Sequence, residues 1–211
     1  MNDFDSIFSV LDAICREAIS KENSEEYLIN AYEGFFNEVK LKVGTSSGYT
    51  GISEYLFFRC IKFMIEEKVQ GNLEPFPNTL DTYTFKSNSI VLTHDVFVNS
   101  FNNSLPRQKT DIAIFNEVNG THSLLGAFQI KVYITNDEKL NDELSKLNDL
   151  LLNSKAYLFM ILFNKQYPNK FESFCNKSTN RAYIISKPNL FNKQSMLSLK
   201  SAVDLIINKI S

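Results

Sequence analysis

KTDIAIFNEVNGTHSLLGAFQIKVYI, residues Lys109–Ile134, is the stretch on which the fold turns. At its centre stands Val118-Asn119-Gly120-Thr121. An Asn-Gly step lets two successive residues take positive φ, the geometry that folds one strand back on the next. The apolar run after Asp111 and the apolar-rich run from Ser123 to Ile134 therefore form an antiparallel hairpin, with strands expected at 111–117 and 123–134. Strict alternation along the second strand puts Leu124, Gly126, Phe128, Ile130, Val132 and Ile134 on one face. Leu125, Ala127, Gln129, Lys131 and Tyr133 take the other.

Outward from the hairpin, an eight- to nine-residue strand is expected upstream at 90–98, joined to it by the polar loop 99–109. A helix is expected downstream at 137–154, opened by a Thr135/Glu138 capping box and lined by Leu140, Leu144, Leu147 and Leu151. Ala156–Phe163 is almost continuously apolar, as a strand covered on both faces would be. A further strand is expected at 181–186 and an amphipathic C-terminal helix on Met196, Leu199, Val203, Ile206 and Ile210. Residues 70–89 read as a long loop with short extended pieces, and 164–180 as polar loop. Before the sheet, helices are expected at 3–20, 24–42 and 52–69. The Gly/Ser-rich stretch 44–51 divides a helical segment, 1–44, from the main domain, 45–211. The order implies an α/β sheet of mixed direction, because a crossover helix returns its strand parallel.

The chemistry concentrates in the same hairpin. Gln129 and Lys131 are neighbours on one face of a strand too apolar for an edge, and burying an amide and an ammonium is costly without partners. Asp111 opens the adjacent strand, so pairing brings three polar groups together. A carboxylate there suits a hard divalent cation, which prefers oxygen. Such a cation lowers the pKa of a bound water and offsets phosphate charge, and Lys131 is suited to orient the water. Glu54 lies on the inward stripe of the 52–69 helix with Phe58, Ile61 and Ile65, where it adds a second carboxylate. The competing readings are a solvent-facing Asp111, a Lys131 that snorkels from an exposed face, and a Glu54 that serves only its helix's N-terminus.

Lys109-Thr110-Asp111, the hairpin and Gln129-Ile130-Lys131 together resemble the PD-(D/E)xK nuclease superfamily, to which many type II restriction endonucleases belong. The likeness spans residues 50–164 in the order helix with an acid, three strands, crossover helix, strand. It implies a restriction-endonuclease-like mixed sheet flanked by helices, with extra N-terminal helices. It further implies Asp111, Gln129, Lys131 and Glu54 as catalytic residues, and Asp111, Gln129, Ile130 and Glu54 around Mg²⁺, with Mn²⁺ able to substitute. Arg107, Gln108, Lys109, Tyr49 and Thr50 would face DNA, and a two-fold homodimer would cut both strands. Thr110 stands where the motif has proline, and Gln129 where it has an acid, so one negative charge is missing from the motif.

Composition bounds the rest. The chain has 211 residues, 44% of them hydrophobic and 22% charged, enough for a substantial core. A net charge of −2 gives no general basic affinity for nucleic acid, although a bound cation would face the phosphate in its place. No apolar run is long enough to span a membrane. The acidic N-terminus lacks a signal-peptide layout. Three scattered cysteines make neither a disulfide framework nor a zinc pattern, so a cytoplasmic location is expected. His94 and His122 have no partner pattern that suggests chemistry. The functional expectation is a Mg²⁺-dependent DNA endonuclease. The alternatives are a catalytically inactive DNA-binding or assembly module of the same fold, and an unrelated α/β protein.

Overall fold

The computed structural model describes residues 3–43, 50–77, 83–134 and 136–210, with side chains at 9–37, 51–77, 83–134 and 136–210. Three helices come first: α1 (Asp3–Ser20), α2 (Ser24–Val43) and α3 (Thr50–Val69). The strands are β1 (Glu74–Pro75), β2 (Thr84–Ser87), β3 (Ile90–Phe97), β4 (Lys109–Val118), β5 (Thr121–Lys131), β6 (Tyr157–Leu162) and β7 (Ala182–Ser186). Helix α4 (Asp137–Leu152) links β5 to β6, α5 (Pro168–Lys177) links β6 to β7, and α6 (Leu199–Ile207) follows the last strand. The seven strands lie in sequence order in one sheet, antiparallel from β1 to β5 and parallel from β5 to β7. The mixed α/β sheet is thus present, and α3, β3, β4, β5, α4 and β6 follow one another in the order the resemblance implies.

Two apolar layers sandwich the sheet. One face carries Ile112, Ile114, Phe128, Ile130, Ile161 and Ile185 against Phe57, Phe58, Ile61, Leu199 and Ile206 of α3 and α6. Cys15 of α1 and Leu28 and Tyr32 of α2 belong to the same cluster. The other face carries Ala113, Phe115, Ala127, Leu158, Met160 and Ile184 against Leu140, Leu147 and Leu151 of α4 and Phe171 of α5. Each Leu, Ile, Phe or Met side chain so withdrawn from water stabilises the fold by about 1.5–3 kcal/mol before its entropy cost. Helix α6 presses so closely on β5 that a Cβ on Gly126 would lie 2.5 Å from Ile206 Cδ1, so any larger residue would force Ile206 to shift. The three cysteines are buried and free. No helix among the described residues is long and apolar enough to cross a membrane.

The hairpin turns as its sequence demands, with Asn119 at φ 51° and Gly120 at φ 76°. What the sequence does not announce is a β-bulge. The β4–β5 register runs evenly from Val118↔Thr121 to Phe115↔Leu124, then slips by one residue so that Ile114 faces Gly126. Leu125 is the extra residue. It packs with the α3 layer while Leu124 packs with the α4 layer. Strict alternation assigned these two the opposite way, because it cannot represent an inserted residue. Beyond the bulge Ile112 pairs with Phe128, so Asp111 comes opposite Gln129. An unbulged hairpin would have set Asp111 opposite Phe128 and carried Gln129 and Lys131 to the face of the α3 layer.

Other expectations shift modestly. β5 ends at Lys131 rather than 134. The cap of α4 is Asn136, whose side chain accepts from the Glu138 and Lys139 amides; Thr135 lies outside the described residues. The segment read as polar loop contains α5, started by Pro168 in its first turn. Its polar face hid a short apolar stripe of which Phe171 and Cys175 are buried.

Candidate active site

Unbroken alternation along β4 puts Asp111 on the α4 face with Ala113 and Phe115, and the bulge in β5 brings Gln129 and Lys131 to the same face. There its carboxylate is held twice: Oδ1 accepts from Gln129 Nε2 at 3.1 Å and Oδ2 accepts from the Ile130 main-chain amide at 2.6 Å. Ile130 reaches the site only through its backbone, since its side chain is buried in the α3 layer. Lys131, two residues beyond Gln129 on the same face, extends to α4, where its Nζ lies 2.6 Å from Glu143 Oε1.

Glu143 did not emerge from the sequence. The signal was present, because Glu143 is three residues after Leu140 and four before Leu147, both buried against the sheet. A carboxylate on the sheet-facing stripe of an amphipathic helix is a feature to explain. The leucine periodicity runs equally well through Leu144, the residue beside it, which masks the acid.

The electrostatics of the cluster are strained toward negative charge. Burial pushes the Asp111 carboxyl up to about 6; the Ile130 amide and Lys131 hold it down, while Glu143 and Asp95 push it further up. Glu54, approaching from α3, is pushed up to about 7 by burial and by Asp111 and Asp95, with Lys131 and Lys109 opposing. Asp111 therefore feels the charges of Lys131 and Glu143, and Glu54 those of Asp111 and Lys131. Gln129 is 8% exposed and its Oε1 has no hydrogen-bond partner. A buried amide oxygen without a donor carries a desolvation cost of about 1–3 kcal/mol.

A hard divalent cation fits this donor set. The oxygens of Asp111 and Glu143, the orphaned Gln129 Oε1 and, beside them, Glu54 are all of the type such ions prefer, and the three carboxylates outnumber the Lys131 ammonium that pairs with Glu143. Among the described residues no three carboxylate, imidazole or thiolate side chains form a preformed cage. An amide oxygen and main-chain groups would have to complete the coordination.

At the rim, Lys109 Nζ pairs with Asp95 Oδ1 at 2.7 Å, and the Arg107 guanidinium lies 5.1 Å from the centre of the Phe97 ring. Both cations are exposed, and Lys109 lies close enough to Asp111 to feel its charge. Gln108, expected to face DNA with them, is instead buried and donates its amide to the Lys109 carbonyl at 2.7 Å. Tyr49 lies outside the described residues, and Thr50 begins α3. Asp95 takes φ 55° in mid-strand, a strained choice for a non-glycine residue. The rung at which it would face Asp111 is missing from the β3–β4 ladder.

No family model matches the chain, and no curated protein matches it. Among solved structures, the chain is similar to the pre-specific restriction endonuclease BsaWI, crystallised in complex with DNA. The likeness covers 99% of this chain and 91% of that one, at 12% identity and a TM-score of 0.43.

Proposed function

We propose that the protein is a metal-dependent DNA endonuclease of restriction-enzyme type. The observation that carries the proposal is the convergence of Asp111, Gln129, Lys131 and Glu143 on one face of the sheet, with Glu54 coupled to them from α3. Asp111 and Glu143 supply negative oxygens, and Gln129 supplies the neutral one. Glu143 provides from α4 the charge that Gln129 withholds from β5. Mg²⁺ or Mn²⁺ held there would polarise a phosphodiester and lower the pKa of a bound water. Lys131 is placed to orient that water and to face the charge that develops on phosphorus oxygens, with Glu143 holding its ammonium in position. Arg107 and Lys109 line the approach, where they suit phosphate contacts that position a duplex without reading its sequence. Cutting both strands calls for two such sites, so a two-fold homodimer is part of the proposal.

The test is cleavage of unmethylated plasmid DNA with Mg²⁺ or Mn²⁺. Cleavage is expected to vanish with EDTA and in Lys131→Ala while DNA binding persists. A clean wild-type preparation that cuts no DNA in either metal would overturn the proposal.

One observation favours a second reading, a non-catalytic DNA-binding module: the acidic position of the motif holds Gln129. Calorimetric titration with Mn²⁺ separates the two. A silent titration, together with undiminished DNA binding by Asp111→Ala, would favour the module.

A further inference from the structure

His94 stands on β3 and faces α3, next to the proposed site but outside the set of residues assigned to it. Its ring is wedged against Phe58, with centroids 5.3 Å apart, and meets Tyr55 edge-on at 6.4 Å. Its main-chain amide donates to the Tyr83 carbonyl at 3.0 Å, which fixes the strand beneath the ring. The ring's Nε2 is buried and has no hydrogen-bond partner. That nitrogen points at one neighbour of opposite chemical kind, Glu54, whose Oε2 lies 4.0 Å away.

A buried imidazole nitrogen without a partner is unfavourable by about 1–3 kcal/mol. Packing alone would have been served by phenylalanine, which fits between Phe58 and Tyr55 without a polar atom to satisfy. The gap to Glu54 exceeds an ordinary N–H···O separation by about 1 Å, a distance that a small rotation of the glutamate closes. Burial, Asp111 and Asp95 oppose the charge of Glu54, while Lys131 and Lys109 favour it. One carboxylate oxygen taken by an imidazole N–H would leave the other facing Asp111.

We propose that His94 is a positioning residue for Glu54, its Nε2–H donating to the carboxylate and thereby fixing the side of Glu54 that is presented to the Asp111 cluster. The proposal rests on the metal-dependent reading of that cluster.

The test uses the full chain and two substitutions. His94→Phe keeps the ring packing and removes the donor; His94→Gln replaces the ring and restores an N–H at similar reach. Melting temperatures establish that both variants fold. Mn²⁺ titration of His94→Phe is expected to show affinity weakened about 10–100-fold, the usual cost of losing the partner of a ligand, with kcat lowered and KM little changed. His94→Gln is expected to recover most of both. Imidazole ¹⁵N spectra without metal provide a readout independent of catalysis. An Nε2–H tautomer with a slowly exchanging proton is expected in the wild type, and loss of that protection in Glu54→Ala. Absence of the protected proton, or its indifference to Glu54→Ala, would overturn the positioning role even in an active enzyme. So would a folded His94→Phe with wild-type Mn²⁺ affinity and kcat. A wild type that neither binds Mn²⁺ nor cleaves DNA, yet keeps the Glu54-dependent signal, would instead refute the nuclease reading and leave the contact standing.

Discussion

Protons would compete with the proposed metal for the same carboxylates, and the two raised pKa values give that competition a size. Asp111 is pushed up to about 6 and Glu54 to about 7, in both cases by burial first. A carboxyl of pKa about 6 is roughly three-quarters protonated at about pH 5.5 and almost fully ionised at about pH 7.5, a factor of about 4 in the form able to bind. For a pKa of about 7 the same interval changes the ionised fraction about 25-fold. The sign is fixed by the direction of the shifts. Because both values lie above the ordinary carboxylate range, affinity is lost as pH falls through about 7 and then about 6, instead of near 4. Mn²⁺ should therefore bind about 100-fold more weakly at about pH 5.5 than at about pH 7.5 if both groups must ionise, but only about fourfold if Asp111 alone is needed. Calorimetry in two buffers of different ionisation enthalpy also counts the protons released. In Glu54→Gln the dependence should collapse to the fourfold case. A dissociation constant flat across this interval would refute the assignment of both carboxylates, and a wild-type change of only about fourfold would remove Glu54 from the site.

Gln129→Glu restores an acid to β5 and is expected to tighten Mn²⁺ binding by about tenfold. Without metal the same change replaces the donor to Asp111 Oδ1 by a second carboxylate, destabilising the protein by about 1–3 kcal/mol. Thermal melts should therefore show a larger loss relative to wild type in EDTA than in excess Mn²⁺, by up to about 1.4 kcal/mol, and equal losses in the two would contradict the placement of Gln129. Gly126→Ala drives a methyl into Ile206 Cδ1, at 2.5 Å, and Cγ1, at 2.8 Å, with an expected cost of about 1–3 kcal/mol. In a denaturation cycle with Ile206→Ala the double variant should be more stable than the sum of the single effects; additivity within about 0.5 kcal/mol would mean that α6 does not press on β5 there. Glu143→Gln frees Lys131 from its 2.6 Å partner and removes a charge that raises Asp111, so Mn²⁺ affinity should fall while the Asp111 carboxyl titrates at lower pH. An Asp111 titration unmoved in Glu143→Gln would place Glu143 too far from it to act.

The fold was legible wherever the sequence repeats a local rule. Asn119-Gly120 specified the hairpin, the unbroken apolar run 156–163 specified a strand covered on both faces, and Leu140, Leu147 and Leu151 specified the helix between them. Asp111, Gln129 and Lys131 were legible for a different reason: a charge or an amide in an apolar strand violates the rule that its neighbours obey. What stayed hidden depends on partners distant in sequence. Glu143 shows in the sequence only as an acid on a leucine stripe, and its partner is unknown until β5 brings Lys131 to it. Gln108 is indistinguishable from its exposed neighbours until the loop folds its amide onto a backbone carbonyl. Asp95 gives no hint in the sequence of its left-handed backbone. The short helix α5 failed to register because ten residues, mostly polar, carry too few apolar positions to show a period.

The extra residue at Leu125 has a consequence for how this chain can change length. Side chains on a strand alternate, so the number of residues between the Asn119-Gly120 turn and Lys131 acts as a parity count. With the bulge, the count delivers Gln129 and Lys131 to the same side as Asp111. Removing one residue anywhere in that interval, or adding one, would leave the hairpin and most of its backbone pairing possible while sending the amide and the lysine into the opposite layer. Gains or losses of two would keep them in place. Chains descended from a common ancestor with this one should therefore differ in that segment by even numbers wherever the polar cluster is kept, and an odd difference should coincide with its loss.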